Sequence, residues 1–248
     1  MGVRIRNMVT FGQLGKYGRL GNQMFQIAST IGIATKLGYE YGFPQWVNWD
    51  GFDRFNTTEN INVFEYFANP LPRCYVEYPD RFIHWGFNGF LVPDNVSLSG
   101  HMQSEKYFEH CKELIKHYFT MKDEYEKNTF TAVHVRMGDY GDDYHPVCGM
   151  DYYRNAFNVI PGPYMVFSDD VVKAKEMFPN KETCFFDGDT YDSFKKMKSC
   201  KNHIIANSTY SWWAAWLAGG QVVAPQKWFG ASAGLSADDI YAEGWTVI

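Results

Sequence analysis

Phe130-Thr-Ala-Val-His-Val-Arg136, followed by the amphipathic run Met150-Asp-Tyr-Tyr-Arg-Asn-Ala-Phe-Asn-Val-Ile160 and then Tyr164-Met-Val-Phe-Ser168, sets the fold of the second half of the chain. The first and third are short runs rich in β-branched and aromatic residues. Between them lie apolar residues at helical spacing, stopped by Pro161-Gly-Pro163. The pattern continues with a helix over Val171–Met177, an extended Thr183-Cys-Phe-Phe186, a helix over Tyr191–Lys198 and a buried strand His203-Ile-Ile-Ala206. A helix over Thr209–Ala218 and a last strand, Gln221-Val-Val-Ala-Pro225, complete it. Strands that alternate with helices are joined by crossovers, so the reading is a parallel, doubly wound sheet.

The first half is less regular. A helix over 22–37 ends at Gly38, which suits a left-handed cap, and 39–43 reads as a strand. Residues 44–62, rich in Trp, Asn, Asp and Phe, read as loops with aromatics such as Trp46, Trp49, Phe52 and Phe55, either exposed or packed into the core. A second helix is expected over 105–119. Lys122-Asp-Glu-Tyr-Glu-Lys127 is either a linker or a solvated helix end. The expected architecture is two domains facing a cleft, residues 1–126 and 127–248.

The chain has 248 residues, 46% of them apolar and 18% aromatic, enough for a substantial core. Lys and Arg number 23 against 28 Asp and Glu, a net charge of −5, so no global positive field exists to hold nucleic acid. An anionic ligand therefore needs a local cluster. The longest apolar runs fall short of the roughly 18 to 20 residues of a membrane span, and Met1-Gly-Val-Arg-Ile-Arg6 lacks the apolar stretch of a secretion signal. These features read as a soluble, cytoplasmic protein. The 5 cysteines are odd in number and form no Cys-x-x-Cys, which fits a reducing compartment; the sequons at Asn56, Asn95 and Asn207 then carry no meaning.

Polar clusters follow the strands of the second half: Arg136-Met-Gly-Asp139, Ser168-Asp-Asp170, Asp187-Gly-Asp189 and Asn207-Ser-Thr209. In a parallel sheet these carboxyl ends share one edge, where ligands bind, and helix N-termini there attract phosphate. Ser168-Asp169 and Ser208-Thr209 also suit plain helix N-caps. Arg136, beside His134 at the end of an apolar strand, needs an anionic partner, and phosphate fits. Asp139 either pairs with Arg136 or meets the ligand directly. Trp212, Trp213 and Trp216 are assigned to packing. Asp187 and Asp189 have the Asp-x-Asp form that holds a divalent ion in another class of nucleotide-sugar transferase. Near the start, Gly12, Gly15, Gly18 and Gly21 precede a helix together with Arg19, Asn22 and Gln23; the spacing is neither a dinucleotide fingerprint nor a P-loop. These glycines let backbone approach a ligand closely.

Five segments in order resemble glycosyltransferase family 11, the α-1,2-fucosyltransferases. They are Tyr17-Gly-Arg-Leu-Gly-Asn-Gln-Met-Phe-Gln26, Gln103-Ser-Glu-Lys-Tyr-Phe108, Val133-His-Val-Arg-Met-Gly-Asp-Tyr140, Phe167-Ser-Asp-Asp170 and Ala206-Asn-Ser-Thr-Tyr-Ser-Trp-Trp-Ala-Ala-Trp-Leu217. The tail, with Pro225, Trp228-Phe229 and Gly244-Trp-Thr-Val-Ile248, is similar too. The resemblance implies a GT-B fold with an acceptor-side first domain and a donor-binding second domain. It also implies no metal or cofactor, GDP-L-fucose as donor, and a glycan acceptor fucosylated on the 2-hydroxyl of a galactoside. The family's His-x-Arg-Arg-x-Asp motif falls on His134, Arg136 and Asp139, with Met137 in place of its second arginine. By the same likeness Arg136 meets the diphosphate, and Gly18, Arg19, Leu20, Gly21, Asn22 and Gln23 line the donor, with Arg19 and Asn22 near the chemistry. Asp187 is implied to meet the guanosine; Asn207, Ser208 and Ser211, with Thr209, Ser168 and Asp169 beside them, the phosphates. Asp142, Asp143, His145 and Glu105 are candidates for a general base by their place next to the motifs. The alternatives are a metal-dependent transferase using Asp187 and Asp189, or an inactive sugar-binding protein.

Overall fold

The computed structural model describes residues 7–48, 61–179 and 183–248. Arg4 and Arg6, Trp49, Phe52, Phe55 and Asn56 lie outside the described residues. The chain divides into two compact units, Met1–Lys122 and Asp123–Ile248. The division falls at the start of the charged 122–127 stretch, four residues before the boundary expected from sequence.

In the first unit a parallel sheet takes the order β2-β1-β6-β5, with β1 Met8–Thr10, β2 Glu40–Gly42, β5 Asp80–Phe82 and β6 Val96–Ser99. A small antiparallel pair is formed by β3, Val47–Asn48, and β4, Ile61–Asn62. The helix α1, Leu20–Leu37, is buried along nearly all its length up to Ala34. It ends where Gly38 turns left-handed, φ 71, so that its N–H reaches the carbonyls of Ala34 and Thr35.

Two expectations for this unit change. The 105–119 segment is not one helix but two 3-10 turns, Glu105–Tyr107 and Glu109–Cys111, followed by α2, Lys112–Tyr118. The cause is packing: Tyr107 and Phe108 are fully buried, and their backbone crosses α1 so closely at Gly32 that a Cβ there would collide with the Tyr107 carbonyl. The Tyr107 hydroxyl donates to the Gly86 carbonyl (3.1 Å) and accepts from the Asn88 N–H (2.8 Å), fixing the break. The 44–62 stretch, read as loops, contributes the β3–β4 pair, and of its aromatics, read as exposed or as core, Trp46 is buried and stacks on Phe67, centroids 5.3 Å apart.

Among the described residues the second unit holds six strands, all parallel: β7 Thr131–Val135, β8 Tyr164–Ser168, β9 Thr183–Phe185, β10 Asn202–Ile204, β11 Val222–Ala224 and β12 Thr246–Val247. The sixth, β12, was not foreseen. Its order is β12-β11-β10-β7-β8-β9, so the chain winds outward from β7, returns, and winds the other way from β10. Right-handed crossovers then put α3, Met150–Val159, and α4, Val171–Met177, on one face and α5, Thr190–Ser199, and α6, Thr209–Ala218, on the other. The core follows this division. Val133 and Val135 join Tyr153 and Ala156 of α3 and Ala174 of α4, whereas the opposite face receives α5 and α6 packed together. Trp212, Trp213 and Trp216 are buried, as assigned. The fold class is α/β, of the GT-B type expected. Among the described residues no helix is long and apolar enough to cross a membrane.

Candidate functional site

The strand order reverses between β7 and β10, and sheets of this kind bind ligands in the crevice outside the carboxyl ends of their strands at such a reversal. Alternation along β7 decides what reaches it. Val133 and Val135 face the α3–α4 core, so His134 points to the opposite side, toward α6. There His134 Nδ1 lies 2.8 Å from the Ser211 hydroxyl, which is itself 3.2 Å from the Ser208 carbonyl. When the hydroxyl donates to that carbonyl, the imidazole carries its proton on Nδ1. Burial pushes the His134 pKa down to about 4, against the raising influence of Asp169, so the ring is neutral at pH 7. The Tyr153 hydroxyl donates to the His134 carbonyl from the other face (2.9 Å).

Arg136 follows, its side chain 15% exposed. One terminal nitrogen sits 2.8 Å from Asp169 Oδ2, the other pairs with Asp139, and the guanidinium carbon lies 5.3 Å from the centre of the Tyr140 ring. Asp139, read from sequence as a partner of Arg136 or of the ligand, pairs with Arg136 here. Asp169 also accepts the N–H groups of Met137 (3.0 Å) and Gly138 (3.2 Å), so this carboxylate ties the end of β8 to the turn after β7. Met137 packs against the hydrophobic core.

On the other side of the crevice Ser208 is the N-cap of α6; its side chain makes no cap bond. The positive end of the α6 dipole thus opens where β10 ends. Asn207 donates both amide hydrogens to backbone carbonyls, Pro146 (2.9 Å) and Trp228 (3.0 Å), and its Oδ1 accepts from the Cys148 thiol (3.5 Å). Its side chain is therefore spent on joining three loops, and no amide hydrogen remains for phosphate. Ser211 is fully buried behind it. The Tyr140 hydroxyl donates to the Asn207 carbonyl (3.0 Å), closing the ring around Arg136.

The remaining candidates take other positions. Helix α4 is capped by Asp170, which accepts from the Lys173 N–H (3.1 Å), and not by Ser168-Asp169; Ser168 instead accepts the Asp170 N–H (3.0 Å). Asp189 caps α5 through the N–H groups of Tyr191 and Asp192, both at 2.8 Å, while Asp187 is exposed. Among the described residues no group of three or more His, Cys, Asp or Glu could hold a metal ion. Asp142 accepts the amides of Tyr144 and His145, and Asp143 that of Ser232 (3.0 Å). The His145 ring stacks on Tyr140, centroids 4.9 Å apart. Glu105, in the first unit, is buried, 3.9 Å from Lys112.

The first unit has its own corner, where the glycine loop enters α1 at Arg19. Gln23 is fully buried: its Nε2 donates to the Gly18 carbonyl (2.8 Å) and its Oε1 accepts from Trp46 Nε1 (2.6 Å). Leu20 is buried as well. Both support the loop from behind. Gly15, φ 88, has a packing reason, since a Cβ there would strike the Val47 carbonyl. At Gly18, φ 70, a Cβ would strike the Asn22 side chain, so Gly18 keeps Asn22 in place. Asn22 Oδ1 accepts from Gln103 Nε2 (2.8 Å). Sequence reasoning gave no role to Gln103, Tyr140, Tyr153 or Gly230, although the first two lie within the quoted motifs. Gly230 has no motif signal; it is required because a Cβ would collide with the Asp143 carbonyl.

Residues 98–248, more than half of the chain, match the family model of glycosyl transferase family 11. The chain belongs to that family. Of its relatives, the O-antigen biosynthesis glycosyltransferase WbnK of Escherichia coli is 36% identical over 48% of this chain and 45% of its own length. An α-1,2-colitosyltransferase of Escherichia coli is 28% identical over 86% of this chain and 90% of its own. The human galactoside α-(1,2)-fucosyltransferase 1 is 28% identical over 52% of this chain and 44% of its own. The chain thus spans under half of the first and third relatives and most of the second. The fold resembles that of the fucosyltransferase NodZ from Bradyrhizobium, with a TM-score of 0.54 and 11% identity over 84% of this chain and 92% of that one.

Proposed function

We propose that this family 11 chain is an inverting transferase that moves L-fucose from GDP-L-fucose to the 2-hydroxyl of a galactoside, without a metal or other cofactor. The reading rests on Arg136 standing at the β7–β10 reversal beside the start of α6, in a family whose relatives are named for 1,2-linked transfer. Residues 123–248 bind the donor, and residues 1–122 serve the acceptor side and contribute Arg19 and Asn22. As the acceptor oxygen attacks the anomeric carbon, negative charge grows on the departing diphosphate. Arg136 and the first N–H groups of α6 are suited to stabilise it, one such donor being worth roughly 3 to 4 kcal/mol. His134 and Ser211 act from beneath, holding α6 against β7; Asn207 acts by fixing the loops.

The relative matched over most of its length is named for colitose, which is fucose without its 3-hydroxyl, so the two GDP-sugars belong in one experiment. The chain is incubated with each donor, with and without a β-galactoside, with and without EDTA. Acceptor-dependent release of GDP from GDP-fucose, undiminished by EDTA, is the expected result. Release confined to GDP-colitose shifts the donor, and loss with EDTA favours the Asp187–Asp189 alternative. Saturable binding without release in any arm means a sugar-binding protein.

A further inference from the structure

A row of rings begins at Arg136. The guanidinium carbon lies 5.3 Å from the centre of the Tyr140 ring, and the His145 imidazole stacks on that ring, centroids 4.9 Å apart and planes 13° from parallel. Tyr144 meets His145 edge-on at 4.6 Å, and Phe229 lies 6.4 Å beyond Tyr144. The first three rings ride on the loop after β7 and Phe229 on the loop after β11, both at the carboxyl edge of the sheet.

The row combines exposure with a rigid mount. Tyr144 is 40% exposed, yet the backbone that carries it is held on several sides. Asp142 accepts the N–H groups of Tyr144 and His145, the Gly230 N–H donates to the Tyr144 carbonyl (3.0 Å), and the Gly141 N–H donates to the His145 carbonyl (2.9 Å). Asn207 spans the same two loops through the carbonyls of Pro146 and Trp228. A ring ordered before its ligand arrives loses little freedom on binding, which is how a pre-organised contact face works.

We infer that Tyr144, backed by His145, forms the subsite for the transferred 6-deoxyhexose, whose C–H face and methyl group lie against the phenol ring. The inference rests on the donor reading above. With the diphosphate at Arg136, the sugar is the next group along the donor, and the ring row is the next surface along the loop. The C–H groups of a pyranose suit the negative face of an aromatic ring, and GDP itself has no such group beyond its phosphates.

The test is calorimetric titration of GDP and of GDP-fucose, separately, into the whole chain as wild type, Tyr144→Ala and Tyr144→Phe; GDP-colitose replaces GDP-fucose if the transfer experiment identifies it as the donor. Tyr144→Ala is expected to bind GDP within about twofold of wild type and the GDP-sugar about fivefold more weakly, the scale of one aromatic contact. Tyr144→Phe, which keeps the ring, is expected to recover most of that loss. In the transfer assay Tyr144→Ala raises the donor KM and leaves the acceptor KM unmoved. Equal weakening of GDP and the GDP-sugar overturns the inference, as does unchanged binding of both or a rise confined to the acceptor KM. If Tyr144→Ala does not fold, Tyr144→Leu is judged by the same ratio. A wild-type chain that binds no GDP sinks the donor reading itself, a separate failure.

Discussion

Each unit has a corner where strand order reverses in a parallel sheet: β1 beside β6 in the first, β7 beside β10 in the second. In each a helix begins there, the long α1 or α6, of which Ser211–Trp216 are buried. The corners are furnished differently. Around the start of α1, next to its N-cap Arg19, stands a group of carboxamides, with Gln23 tied to Gly18 and Trp46, and Gln103 tied to Asn22. Around the start of α6 stand charged groups, with Arg136 between Asp139 and Asp169. Carboxamides carry both a donor and acceptors and so can bond to one another without a counter-ion. An arginine between carboxylates depends instead on opposite charge. The carboxamides of the first corner hold a loop against a helix, whereas in the second the charged groups tie the turn after β7 to the end of β8.

Substitutions should break that contrast in order of size. Arg136→Ala is expected to lower kcat/KM on the order of a thousandfold, read from initial rates of GDP release, and to cost stability as well, because the largely buried Asp169 loses its cation. Retained turnover would remove the charged corner from the chemistry. The second unit should also be the more sensitive to acid. Burial holds fully buried His203 down to about 4, so the folded state keeps it neutral while the unfolded state protonates below about 6.5. Stability is therefore full above that value and falls as pH drops toward about 4. His203→Leu should flatten the fall by roughly 3 kcal/mol in denaturant titrations across this window.

In the first unit, Gly32→Ala replaces a helical glycine yet should destabilise by about 2 to 3 kcal/mol, because the Cβ meets the Tyr107 carbonyl. Helix propensity alone predicts a gain of about 1 kcal/mol, so the sign of the midpoint shift is the measurement. Gln23→Leu should cost about 2 kcal/mol by stranding the Trp46 N–H and the Gly18 carbonyl, with normal GDP binding in titration. Smallest is Asp189→Ala, a loss of about 1 kcal/mol for a helix cap; abolished transfer at full stability would instead point to a metal ligand.

The second unit was legible because its signals are local. Runs of four to seven residues alternate with capped amphipathic segments, and Tyr164–Ser168, Val171–Met177 and Thr209–Ala218 have the bounds read from sequence. The strands Met8–Thr10, Asp80–Phe82 and Val96–Ser99 were missed although β9, β10 and β11 are as short, because those three alternate with helix-length amphipathic segments, whereas no α-helix adjoins Asp80–Phe82 or Val96–Ser99 and a glycine-rich loop separates Met8–Thr10 from α1. Glu105–Phe119 has helical spacing, and only the crossing at Gly32 overrides it. The site divides in the same way. Arg136 beside an apolar strand end announces a need for an anion, but whether Asp139 meets the ligand or the arginine depends on geometry.

Residue order alone fixed the alternation of strand and helix, the glycine stop at Gly38 and the placing of charged residues beyond the strand ends, since these follow from backbone sterics and hydrophobic period within a few residues. Tertiary structure decided which polar groups face one another: Gln23 and Asn207 turned inward to close loops, and Asp170 took the cap in place of Ser168-Asp169. It also set Asp169 within reach of Arg136 from a neighbouring strand. A hydrogen bond or ion pair is satisfied by whatever partner the fold brings near, and chain spacing carries no record of that choice.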